Sequence, residues 1–197
     1  MNIIAAVIAI VAALLACPRP GEAKGVRLEL RGGYHSPSEQ AFREIYGGGL
    51  TYGADVVVGL WKNVDLWVGG GYFYRTGALT YTAEETFVKI RTFGWGILYR
   101  RALGRFDVYG GAGLAYFLFD EGNAIGETSA GKIGPELRAG AFYRFTPRLS
   151  AGAFAGLSTR TISPAQYEVN IGGLTAGLAL SYRFGRLTPS APPAPVK

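Results

Sequence analysis

The amino-acid sequence predicts an all-β fold: an eight-stranded, antiparallel, up-and-down transmembrane β-barrel with short periplasmic turns and longer extracellular loops. Three observations predict it. Apolar and polar residues alternate with period two through eight successive segments, the connections alternate between tight and long, and charged residues are only 17% of the chain. Soluble domains carry about a quarter charged residues, so much of this surface faces something other than water. A chain of 197 residues accommodates one barrel of this size. Its 30 glycines and 13% aromatics fit curved strands rather than disorder, because the prolines sit mostly in loops and in the tail.

The first segment, Val26 to His35, places Val26, Leu28, Leu30 and Tyr34 on one face and Arg27, Glu29 and Arg31 on the other. Gly48 to Leu60 aligns Leu50, Tyr52, Val56 and Val58 opposite Thr51, Gly53 and Asp55. Val64 to Arg75 sets Leu66, Val68, Tyr72 and Tyr74 against Asp65, Gly69, Gly71 and Arg75. Phe87 to Arg100 sets Phe93, Trp95, Ile97 and Tyr99 against Thr92, Gly94, Gly96 and Arg100. In Phe106 to Phe119, Val108, Ala112, Leu114 and Tyr116 oppose Asp107, Gly111 and Gly113. Lys132 to Phe145 opposes Leu137, Ala139, Ala141 and Tyr143 to Glu136, Arg138 and Arg144. Leu149 to Arg160 opposes Ala151, Ala153, Ala155 and Leu157 to Ser150, Gly152, Ser158 and Arg160. Val169 to Phe184 opposes Leu174, Leu178, Leu180 and Tyr182 to Thr175, Gly177, Ser181 and Arg183. One such match is weak, but eight in succession are strong.

One face is aliphatic, with Tyr74, Trp95, Tyr99, Tyr143 and Phe184 toward the segment ends, the pattern of a lipid-facing band between aromatic girdles. The other face is glycine plus charge. A water-soluble barrel needs the reverse, an apolar interior and a well-charged exterior, and this chain lacks the charges for it. Tight links at Trp61-Lys62-Asn63, Ala102 to Arg105 and Thr146-Pro147-Arg148 alternate with longer ones over 36–46, 77–86, 120–131 and 161–168. An even strand count then returns both termini to the periplasm.

Ahead of these segments, Ile3 to Leu15 is apolar, too short to span a bilayer as a helix and of the length of an export-signal core. Small residues at Gly21 and Ala23 place the expected cleavage after Ala23. The expected organisation is a signal peptide over 1–23, a barrel over 24–184 and a Pro-rich periplasmic tail over 185–197. Leu14-Leu15-Ala16-Cys17 offers a lipobox-type cleavage before Cys17 as the alternative. Cys17 is the one cysteine, so an intramolecular disulfide and a multi-cysteine metal site are both excluded.

On these residues the chain resembles the small outer-membrane β-barrel superfamily, that of the OmpA transmembrane domain and the OmpX-like proteins. The resemblance rests on the Gly-aromatic strands Val68-Gly69-Gly70-Gly71-Tyr72 and Val108-Tyr109-Gly110-Gly111-Ala112-Gly113. It rests also on Leu180-Ser181-Tyr182-Arg183-Phe184, similar to the aromatic-ended last strand that barrel-assembly machinery reads. It implies a fold and a bacterial outer-membrane location, not a chemistry. Phe184 is not terminal, a departure from that pattern; Pro192-Pro193-Ala194-Pro195 looks like the start of a linker.

An eight-stranded barrel leaves room inside for side chains alone. The inward charges have both signs: Arg27, Glu29, Arg31, Asp55, Asp65, Arg75, Asp107, Glu136, Arg138, Arg144, Arg160 and Arg183. Buried charge needs partners, so an Arg–carboxylate network plugging the lumen is expected, with Glu136 and Arg138 its first members. Lys89 and Arg91 share the lipid-facing parity near the outer end of their segment, which makes them candidate contacts to lipopolysaccharide phosphates. No cofactor and no metal is expected. The net charge of +6 is scattered, which excludes a nucleic-acid arm, and Gly110 to Gly113 lies inside a strand, which excludes a phosphate loop.

His35, the single histidine, precedes Ser36, Ser38 and Glu39. Lipid A-modifying enzymes of the outer membrane are small barrels that use a His with a Ser. Sequence neighbours at a strand-to-loop junction rarely assemble a triad, however, so His35 reads as a loop residue and no enzyme is expected. The expected function is that of a monomeric structural or surface-interaction barrel. Its outer loops would carry Glu39, Arg43, Glu44, Glu84, Glu85, Asp120, Glu121 and Glu127 toward an extracellular partner. Small-solute or lipid-related transport is the alternative.

Overall fold

The computed structural model describes residues 25–78, 85–123, 126–162 and 169–184. The expected signal peptide with Cys17, the tail over 185–197 and Glu84 lie outside the described residues. Strand β1 (Val26–Pro37) leads into a short helix, α1 (Gln40–Tyr46), then β2 (Gly49–Gly59), β3 (Val64–Ala78) and β4 (Glu85–Leu103). β5 (Phe106–Asn123), β6 (Glu127–Arg144) and β7 (Leu149–Ser158) follow, then the two-residue strands β8 (Thr161–Ile162) and β9 (Val169–Asn170), and finally β10 (Gly173–Arg183). The eight longer strands close an antiparallel barrel in the order β1-β10-β7-β6-β5-β4-β3-β2, and β8 pairs only with β9. Closure is made by the first and last strands, with Leu28 opposite Tyr182 and Leu30 opposite Leu180.

Because strand side chains alternate, the closed register fixes which residues see the lumen. Leu30 is 51% exposed while its neighbour Glu29 is 2% exposed, and Asp55 and Asp65 are equally enclosed. Leu50, Ile97, Leu137, Leu174 and Leu178 all stand on the outer surface. On β4 the outward apolar run of Phe93, Trp95, Ile97 and Tyr99 is bounded by Arg91 above and Arg101 below. Ten residue steps cover roughly 33 Å of strand, and a tilt of about 40° reduces this to about 25 Å along the barrel axis, the height of a lipid-facing band.

Two expected loops are corrected to strand. The described ends of 77–86, residues 77–78 and 85–86, and most of 120–131 continue the sheet, since Gly77 faces Thr86, Thr86 faces Asn123, Lys89 faces Asp120, and Asp120 faces Ser129. β3 to β6 therefore project above the band on one side of the barrel. The loop over 36–46 is also corrected: β1 continues to Pro37, and α1 buries Phe42 and Tyr46 against that projection. Phe42 and Tyr46 join Val88, Ile90, Phe117, Phe119 and Ile171 in one apolar cluster. A Cβ at Gly77 would collide with the Ile45 carbonyl, so glycine there lets α1 lie directly on β3. Gly47, at φ 66°, ends the helix.

The eighth segment also starts later than expected. Val169 and Asn170 pair back onto β8, and the barrel strand begins at Gly173. The Asn170 side-chain oxygen accepts from the Arg160 and Gly172 backbone amides at 3.0 and 2.9 Å, which holds the chain out of the sheet there.

Candidate functional site

The lower lumen is held by ion pairs between strands. Arg100, from β4, donates to Asp65 of β3 and to Glu29 of β1, each at 2.9 Å. Arg27 reaches Asp65 at 3.4 Å. Asp107, on β5, has Arg144 at 3.6 Å and Arg183 at 3.9 Å. A second cluster sits higher: Arg31 donates to Asp55 at 2.9 Å, while Arg138 donates to Asp55 at 3.1 Å and to Glu136 at 2.6 Å. Arg100 has the inward parity and was left out of the expected network, yet it joins two carboxylates and is itself buried. Its neighbour Arg101 points outward. Alternation was the signal that separates them.

An aromatic layer lies between the two charged clusters, where sequence reading expected glycine and charge alone. Val57, Trp67, Leu98, Tyr109, Phe142, Phe154 and Ala179 pack together there. The arginines lie against this layer. The Arg138 guanidinium lies 3.4 Å from the Trp67 ring centroid, Arg100 lies 4.8 Å from that of Tyr109, and Arg31 lies 5.4 Å from that of Phe154. A Cβ at Gly94 or Gly113 would stand 2.7 or 2.8 Å from the Trp67 ring, so those glycines make the space that the indole fills. Trp67 and its partners are inward by the same alternation that placed Asp65.

These layers divide the lumen. An upper cavity of about 80 Å3 is lined by His35, Thr51, Thr92 and Thr175 among others, and a lower cup of about 240 Å3 opens at the rim of tight turns. Beside Trp67 and Tyr109 the space between them is only about 10 Å3, the size of one water at most.

Two residues of the expected network stand apart from these pairs. Arg75 is exposed above the band and donates through Nε to the Tyr46 carbonyl at 3.3 Å. Arg160 is buried with its guanidinium 3.4 Å from the centroid of the Phe117 ring, and among the described residues none of its side-chain nitrogens has a hydrogen-bond partner. Sequence parity places both inward but cannot say at what height a carboxylate waits.

His35 is corrected from loop to barrel. It is a buried β1 residue with Nδ1 2.9 Å from the Thr175 hydroxyl and its ring edge-on to Phe73. Ser36, Ser38 and Glu39 do not gather around it: the Ser38 hydroxyl donates to the Gly172 carbonyl, and Glu39 accepts from the Asn170 amide. Among the described residues no three His, Cys, Asp or Glu side chains are grouped to hold a metal ion. Lys89 and Arg91 face outward at the top of the band. Arg91 is paired with Asp120 at 2.6 Å, and the Lys89 ammonium lies 4.9 Å from the Phe87 ring centroid.

Above the band, Tyr46 donates its phenol hydrogen to Glu121 and stands 3.0 Å from the Thr86 hydroxyl. Burial, and then the Glu121 carboxylate, push the Tyr46 pKa well above the ordinary phenol value.

Comparison with known proteins places this architecture. The model of the outer membrane protein beta-barrel domain matches residues 3–184. Neisserial surface protein A is similar in structure, with a TM-score of 0.65 and 14% identity over 83% of this chain and 100% of that one. OprG of Pseudomonas aeruginosa gives a TM-score of 0.66 and 14% identity over 84% of this chain and 99% of that one. The N-terminal barrel of OprF, from the same organism, gives 0.50 and 17% over 83% and 100%. No curated protein matches the chain in sequence.

Proposed function

The chain belongs to the outer membrane protein beta-barrel domain family and resides in the bacterial outer membrane, and from that premise we propose that it is a surface-interaction barrel with a plugged lumen. The observation that carries this reading is the projection. β4 has 19 residues where β7 has 10, a difference of roughly 30 Å of strand. Spanning a bilayer needs only the shorter length. The extra wall is ordered, carries its own apolar cluster and is capped by α1, the form of a platform that presents residues to a partner. Glu85, Asp120 and Glu127 stand on its outer side, and the partner binds there.

Lys89 and Arg91, at the height of the outer headgroups, contact lipopolysaccharide phosphates in this reading, with Asp120 orienting Arg91. The barrel acts as a monomer, without catalysis, after insertion by the barrel-assembly machinery through its aromatic last strand. Cells displaying the wild-type chain, compared with cells whose projection is replaced by tight turns at the band, should differ in binding to host cells or phage while both barrels stay folded. Equal binding sinks the interaction role. Changing Lys89 and Arg91 to Glu should weaken outer-leaflet lipid binding.

Transport has one observation in its favour. β7 pairs with β6 only from Glu136 downward, and Pro135, just above, cannot donate to a neighbour, so the two strands part near the top of the band. Liposome swelling with small solutes tests this second reading directly. Steady, large conductance in a planar bilayer would contradict the plugged lumen.

A further inference from the structure

The geometry points to an anion site in the periplasmic mouth of the lumen, suited to a phosphate group carrying two negative charges. The cup there encloses about 240 Å3 and is lined by Arg27, Lys62, Arg100, Arg144 and Arg183, with Asp65 and Asp107 as its carboxylates. Arg100 is fully engaged by Asp65 and by Glu29 just above. The remaining pairs are loose. Arg27 is 3.4 Å from Asp65, and Arg144 and Arg183 are 3.6 and 3.9 Å from Asp107, beyond the roughly 2.7–2.9 Å of a charge-assisted hydrogen bond. Among the described residues the Nε atoms of Arg27 and Arg144 are buried without a hydrogen-bond partner, while another Arg144 nitrogen donates to the Gly104 carbonyl. Counting Glu29, five cations face three carboxylates, a surplus of two positive charges.

Water can accept from a guanidinium, but it does not cancel a surplus charge. At the inner end of the cup Arg100 packs against the Tyr109 and Phe142 rings, and the surplus charge among the arginines is only partly screened until an anion arrives. A single carboxylate leaves one of the two charges uncovered. A phosphate monoester or a diphosphate covers both and offers oxygens to several guanidinium forks at once. The cup lies on the inward face, and the Arg144 and Arg183 side chains are 32% and 30% exposed, so a soluble anion reaches them from the tight-turn side without crossing lipid. Cardiolipin, a phospholipid whose headgroup carries two phosphates and two negative charges, is the other source of the same chemistry.

The test uses the processed chain in zwitterionic micelles, titrated with diphosphate in a phosphate-free chloride buffer at constant ionic strength. Saturable binding and a rise in melting temperature are expected. The double variant R144Q/R183Q should bind about tenfold more weakly or worse, because two of the charge-assisted contacts are gone. Asp107→Asn, which removes the competing carboxylate, should bind more tightly than the wild type, a gain that misfolding cannot imitate. In nanodiscs, loss of diphosphate binding with cardiolipin but not with phosphatidylcholine assigns the site to lipid headgroups; equal binding in both assigns it to a soluble anion. No saturable binding up to about 10 mM diphosphate, a concentration that would reveal even very weak affinity, overturns the site, as does an Asp107→Asn chain that binds no tighter.

Discussion

A single strand, β4, has opposite chemistry at its two ends. In the band its outward side chains are Phe93, Trp95, Ile97 and Tyr99, and its inward ones run down to Arg100. Above the band its outward side chains include Lys89 and Arg91, and its inward ones are Ile90 and Val88, both buried. The alternation never slips. What changes at the level of Arg91 is the solvent on the outer side, lipid below and water above, and the composition of each face inverts to match it. Below, burial inside the barrel brings no hydrophobic gain relative to lipid, so the lumen is filled by paired charge and stacked aromatics. Above, the ordinary rule returns, and Phe117, Phe119, Phe42 and Tyr46 are covered because water would otherwise meet them.

The comparison predicts unequal responses to substitution. The largest effect belongs to the lower lumen. Arg100→Met leaves Glu29 and Asp65 buried without their main partner and should lower stability by about 3–5 kcal/mol. Adding Glu29→Gln and Asp65→Asn should recover most of that loss. Urea-unfolding midpoints in micelles measure both, and a triple variant as weak as the single one would mean that Arg100 acts through packing on Tyr109 and Phe142 instead.

Next comes the outer face. Ile97→Arg puts a charge near the middle of the band and should cost about 2–4 kcal/mol, whereas Leu50→Arg, at the upper edge, should cost about 1 kcal/mol or less. Equal costs would mean that the outer surface meets one uniform solvent.

The third effect is confined to the projection. Tyr46→Phe removes the hydrogen bonds to Glu121 and Thr86 and should loosen α1 by about 2 kcal/mol while the barrel melts as before. The Tyr46 phenol ionises at higher pH in the folded protein than in the unfolded chain, so its contribution is complete below the ordinary phenol pKa of about 10 and declines as pH rises past it. Hydrogen exchange of the α1 amides reads both effects.

The smallest effect is expected at Arg160. Among the described residues its guanidinium has no hydrogen-bond partner, and it lies on Phe117, so Arg160→Met should be neutral or slightly stabilising. A loss comparable to that of Arg100→Met would show that Arg160 has a partner in solution.

The strands of the band were legible in the sequence because lipid outside and charge inside give each one an unbroken alternation, as in Leu28-Glu29-Leu30-Arg31. The projection was not, because Asp120-Glu121-Gly122-Asn123 has the composition of a turn and becomes strand only through pairing with β4. Nor was α1, whose seven residues are too few to show a helical period and whose place depends on Gly77. Within the lumen, parity told which residues point inward but not their heights. Heights decide that Asp55 meets Arg31 and Arg138 while Arg75 meets a backbone carbonyl.

The tryptophans offer the most direct test of the inverted barrel. Trp95 faces outward within the band, Trp67 is fully enclosed in the lumen, and Trp61 is exposed in the turn between β2 and β3. With Trp61→Phe as background, chains keeping only Trp95 or only Trp67 are inserted into bilayers whose acyl chains carry bromine. Fluorescence of Trp95 should be strongly quenched and that of Trp67 nearly untouched. Quenching of Trp67 with Trp95 spared would turn the barrel inside out and contradict the account.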